Sequence, residues 1–199
     1  MSAVPPGVPG GEHDDDADDP ARVAFARLVE AARAAVDVPG VQVRESPAPR
    51  RVAPLSAGLS GTARARDASG SGRLVLLHDP AGVESWQGDT RAVVEVRAPV
   101  DTQTAADGLL APVAWSWLVD AVASHVGEPV ALAGAVTTET TTRFGAADPA
   151  AAAAAEPEVQ VRGSWTCHLE QVPDSARAWA DLLARLAGLP PPGVRLLRR

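Results

Sequence analysis

The chain has 199 residues and a formal charge of −7, and all 18 of its basic residues are Arg. The absence of Lys excludes P-loop and Schiff-base chemistry, and a single Cys excludes both an internal disulfide and a cysteine-based zinc site. Residues 1–19 hold Glu12, Asp14, Asp15, Asp16, Asp18 and Asp19 and no Arg, so −6 of the −7 lies there and the rest of the chain carries only −1. A near-neutral domain is poorly suited to neutralising phosphates, which disfavours nucleic acid as a partner.

Residues 1–19, rich in Pro, Gly and Asp, read as a disordered acidic tail. Glu12-His13-Asp14-Asp15-Asp16 offers cation donors, but a flexible Asp run is ordinarily solvated, so no metal site is assigned. No signal peptide and no apolar run of ~18 residues is present, which predicts a cytoplasmic chain with no membrane span. Residues 20–192 form one domain, and residues 193–199 a basic tip with Arg195, Arg198 and Arg199.

A first helix opens with Asp19 as cap and Pro20 at its first position, and presents Phe25, Leu28, Val29, Ala32 and Val36 on one face. Pro39-Gly40 ends it. Three strands follow. Leu55, Ala57 and Leu59 alternate with Ser56, Gly58 and Ser60 in the first, and residues 73–78 make the second. Asp79-Pro80-Ala81-Gly82 fits a type I turn, and the third strand puts Ala92, Val94 and Val96 opposite Arg91, Glu95 and Arg97. A second helix at about 111–126 carries Trp115, Leu118, Val119, Val122 and Val126, with Gly127 ending it. Two strands then run from Val130 to about Arg143 and from Glu158 to Leu169, joined by an Ala-rich loop. A final helix from about Asp174 turns Trp179, Leu182, Leu183 and Leu186 inward.

The order α-β-β-β-α-β-β-α predicts an α+β two-layer sandwich: a five-stranded, mainly antiparallel sheet with helices on one face. The open face would carry Arg91, Glu95, Arg97, Gln160 and Arg162.

Catalytic pairings are weak. His78-Asp79 and Cys167-His168 are neighbours on strands and point to opposite faces, so no catalytic residue is assigned and no cofactor is implied. Asp79 is explained by the turn it begins, and Cys167 by core packing. His125, near the end of the second helix, suits its dipole. Trp115, Trp165 and Trp179 fall on core faces, whereas Trp86, in a loop, and Trp117, off the helical stripe, are candidates for touching a partner or ligand.

Leu76-Leu77-His78-Asp79-Pro80-Ala81-Gly82, Trp86-Gln87-Gly88, Arg91, Trp115-Ser116-Trp117-Leu118, Ser164-Trp165-Thr166 and Ala178-Trp179-Ala180-Asp181-Leu182 through Pro191 together resemble an actinobacterial family known as a domain of unknown function, number three thousand in its series. The resemblance spans roughly residues 22–195 and implies no catalytic residues. The element order also resembles the secretion-chaperone-like fold, whose members are small, acidic, dimeric and polypeptide-binding, a likeness that does not fix function.

Two readings follow. The first is a non-catalytic cytoplasmic binding protein, an adaptor or chaperone-like dimer engaging a protein partner or itself. The alternative is an enzyme or small-ligand binder with a cleft near His78, Asp79, Trp86 and Arg91, where Arg91 would grip a carboxylate or phosphate. An RNA-binding reading would be revived by an Arg cluster of Arg91, Arg97 and Arg162 on the sheet.

Overall fold

The computed structural model describes residues 19–49, 51–65, 68–141 and 156–190. The acidic tail, the basic tip and most of the Ala-rich loop lie outside these residues. The first helix, α1 (Pro20–Ala35), starts as its sequence predicts: Asp19 Oδ1 accepts from the Ala21 backbone N–H at 3.1 Å, and Pro20 occupies the first turn, where its missing N–H costs nothing.

The strands are β1 (Val41–Ser46), β2 (Leu55–Ala65), β3 (Ala68–Val83), β4 (Gly88–Pro99), β5 (Val130–Glu139) and β6 (Glu158–Cys167). Between β4 and β5 lie a single-turn helix, α2 (Thr102–Ala105), and α3 (Leu110–His125); α4 (Val172–Leu186) closes the order. The strands form one sheet in the order β1-β2-β3-β4-β6-β5, with every pairing antiparallel. Among the described residues, the expectation of five strands, and of three strands between the first two long helices, is thereby corrected to six and four. The extra strand is β1, which pairs Val41 with Ala63 and Ser46 with Gly58. It has only two apolar residues and lies at an edge, so its alternation is short.

The reversal between β3 and β4 is also displaced. Asp79-Pro80-Ala81-Gly82 is an irregularity within β3, not the turn itself, although Asp79 Oδ1 accepts from the Ala81 N–H at 3.0 Å as an Asx residue does. The chain reverses at the 3₁₀ turn Glu84–Trp86 and at Gln87, whose φ of 59° is left-handed.

One sheet face is covered by α1, α3 and α4. Leu59 on β2, Leu74 and Leu76 on β3, Val94 and Val96 on β4, and Val161 and Trp165 on β6 meet Leu118, Val122, Trp179, Leu182 and Leu183 in one core. Complete burial of each large side chain stabilises by about 1.5–3 kcal/mol. Trp179 packs tightly against β2 and β3 at Gly61 and Gly72, where an added Cβ would come within 2.8 Å of its Cη2 and Nε1 respectively. The two edges differ. β1 carries Arg44 and Glu45, whereas β5 has no charged residue from Val130 to Thr138.

Candidate functional site

The residues singled out by the sequence fall in three places. His78 faces the helices: it is buried, stacks on Phe25 with ring centroids 6.0 Å apart at 13°, and places Nδ1 2.9 Å from Thr90 Oγ1. Thr90 in turn donates to Asp89 Oδ1 at 2.7 Å, which makes its oxygen the acceptor for a His78 Nδ1–H. Asp79 is spent on its own turn.

Arg91 stands on the opposite face, because it follows Thr90 by one residue on β4. Its guanidinium donates to Thr166 Oγ1 at 3.0 Å, Ser164 Oγ at 2.8 Å and the Ala131 carbonyl at 3.1 Å. All three acceptors are neutral, and burial pulls its pKa below the usual arginine value. Trp86 joins this group through its backbone, since the Trp86 carbonyl accepts from Thr166 Oγ1. Arg91 and Trp86 therefore meet around Thr166, while His78 packs on the far side of the sheet.

Trp117 lies elsewhere again, on the outer side of α3. It is half-buried and lines a groove of 680 Å³ between α3, α4 and the chain leaving α1. Val36, Val38, Ala184, Leu189 and Pro190 supply the rest of the apolar wall. At its centre Asp181 accepts from Arg185 Nε at 2.9 Å and Nη2 at 2.8 Å, a two-toothed i,i+4 pair that raises the Arg185 pKa chiefly through the hydrogen bond. His125 Nε2 is 3.6 Å from the same carboxylate. That distance is an electrostatic contact more than a hydrogen bond, so His125 is oriented only loosely.

A family model described as a protein of unknown function (DUF3000) matches residues 21–195. The chain belongs to this family. No curated protein and no solved structure matches it. The matched span covers α1 to α4, and hence the Arg91 cluster and the Trp117 groove alike.

Among the described residues no Ser, Thr or Cys lines the Trp117 groove, so the His125–Asp181 pair has no side-chain nucleophile beside it there. Cys167 is buried beside Ser175, and desolvation pushes its thiol up to about 11, which leaves it unreactive at neutral pH. Among the described residues no group of three His, Cys, Asp or Glu side chains is placed to hold a metal, and no helix is long and apolar enough to cross a membrane.

Sequence reasoning singled out Trp117 but missed the groove, because Val36, His125, Asp181 and Pro190 come from distant segments. Within the groove only the i,i+4 pair Asp181–Arg185 is local in sequence.

Proposed function

We propose that this protein is a non-catalytic binding protein, adaptor-like or chaperone-like in use, that docks an apolar segment of a protein partner along the outer side of α3. The observation that carries the reading is a stripe. Leu109, Val113 and Trp117 recur at i, i+4 and i+8, the spacing that stacks side chains on one helix face, and the stripe leads into the apolar groove beside Trp117. Leu109 is 67% exposed and Val113 40%, so these side chains make little contact with the core of their own domain. Exposed apolar side chains aligned in this way are a feature of partner surfaces.

The test places a photo-crosslinking side chain at Val113 and irradiates the protein in its native cells. A single discrete protein adduct, lost on Leu109→Asp without a change in melting temperature, supports the reading. No adduct, or one indifferent to Leu109→Asp, would sink it. Light scattering on the same samples separates a second copy of the chain from a different partner.

A small ligand in the same groove is the second reading, favoured by its volume, which lies in the range of ordinary ligand pockets. It replaces the alternative of a cleft uniting His78, Asp79, Trp86 and Arg91, since the sheet stands between His78 and Arg91.

A further inference from the structure

We propose that the helix-free face of the sheet is a docking site for an acidic segment of a protein partner, bound extended along β3, β4 and β6 with a carboxylate, an aliphatic side chain and a second carboxylate at alternate positions. This inference is independent of the α3 groove, which lies on the other side of the sheet.

The strand registers arrange the face in transverse rows. Leu77, Arg91 and Thr166 form one; Val75, Val93 and Ser164 the next; Arg73, Glu95 and Arg162 the third; and Ser71, Arg97 and Gln160 the fourth. The middle rows bound a shallow cavity of 490 Å³ whose apolar floor includes Val75, Val93 and Ala133. Four guanidinium groups therefore surround an aliphatic floor, with Glu95 as the one carboxylate in these rows.

Glu95 shows what the face accepts. Its Oε1 takes the Nε–H of Arg97 at 3.0 Å and its Oε2 that of Arg162 at 2.9 Å, so a carboxylate already sits between two arginines. It uses only Nε on each, and the Arg162 side chain is 60% exposed. Rows two residues apart along a strand are separated by about 6.6–6.8 Å, which is also the spacing of side chains i and i+2 in an extended peptide. A segment lying along the strands would set one carboxylate near Arg91, an aliphatic side chain on Val75 and Val93, and another carboxylate near Arg73 and Arg162.

The positive rows also meet the condition that would revive an RNA-binding reading, since Arg91, Arg97 and Arg162 share the face. One observation favours a polypeptide instead: among the described residues the rows contain no aromatic side chain on which a base could stack.

The probe is a dye-labelled peptide, Glu-Ser-Val-Ser-Glu-Ser-Glu, titrated with the full chain and followed by fluorescence anisotropy at low and high salt. Saturable binding that weakens with salt, falls about fivefold on Arg162→Gln and tightens on Glu95→Gln supports the proposal. Tightening by Glu95→Gln is the decisive arm, because misfolding cannot produce it. The proposal is overturned by unsaturable binding, by no gain on Glu95→Gln, or by a labelled single-stranded oligonucleotide that binds tighter than the peptide. Displacement of the peptide by equimolar inorganic phosphate would also overturn it, since any anion would then suffice.

Discussion

Arg91 holds the carbonyl of Ala131 at 3.1 Å from the neighbouring strand pair, and Ala131 is a non-glycine residue with a φ of 47°. The contact falls where the β5–β6 register shifts between Val130 and Ala133, so one guanidinium spans β4, β6 and the irregular start of β5. The strain of the left-handed residue and the half-buried cation are parts of one local arrangement.

Arg91→Leu should remove three charge-assisted hydrogen bonds and leave the Ala131 carbonyl without this donor. We expect a loss of about 2–3 kcal/mol in denaturant unfolding, with faster amide exchange concentrated in β5. Arg91→Lys should restore little, because a single ammonium cannot reach all three acceptors in the planar geometry of the guanidinium. A variant as stable as the parent would show that the cluster contributes nothing to the fold.

Ala131→Gly should stabilise the protein. An L-residue in the left-handed region costs about 1–2 kcal/mol, against about 0.5–1 kcal/mol for the added freedom of glycine in the unfolded chain. The net gain, about 0.5–1 kcal/mol, is readable as a rise of a few degrees in melting temperature. A fall would mean that the bulge is held in this conformation without cost.

Gly72→Ala should be expensive. The new methyl group would sit 2.8 Å from Trp179 Nε1 and 3.3 Å from the Glu95 carbonyl, and a buried ring has nowhere to move. Overpacking of this kind costs about 1–3 kcal/mol. Trp179→Phe shrinks the ring, so the double variant should be more stable than the sum of the two losses implies. Strict additivity would refute direct contact.

Cys167 gives a pH prediction. Its thiol ionises at about 11 in the folded protein against 9.0 for an unperturbed thiol, the largest cause being desolvation by burial. Between these values the unfolded chain loses the proton first, so this group's contribution to stability is intact below pH 9.0 and falls as pH rises towards 11. Alkylation of the native protein at pH 8 should therefore be far slower than that of the denatured chain. Equal rates would place the thiol at the surface.

The sheet was legible where alternation was long. Ala92, Val94 and Val96 against Arg91, Glu95 and Arg97 fixed both faces of β4, and the Asp19-Pro20 cap located the start of α1. β1 was missed because Val41 and Val43 give too short a pattern, and the hairpin was reversed too early because Asp79-Pro80-Gly82 carries stronger turn chemistry than Glu84–Gln87, where Gln87 enters the left-handed region without any residue signal. Of the candidate site residues, Trp117 was legible as an apolar side chain off its helical stripe. Its surroundings were not, because a groove built from three remote segments leaves no local period. His78 and Arg91 looked like neighbours in sequence, and the two-residue period of the strand put the sheet between them.

The seating of Trp179 has a practical consequence. The chain has no Tyr, so its near-ultraviolet emission comes from Trp alone, and the fully buried Trp179 lies against the β2 and β3 backbones with no partner for its indole N–H among the described residues. A variant keeping Trp179 as its sole indole would emit from a dry, non-polar setting while α4 is seated and shift to the red when that helix lifts away. The protein thus carries a built-in optical gauge of whether its helical layer is closed on the sheet.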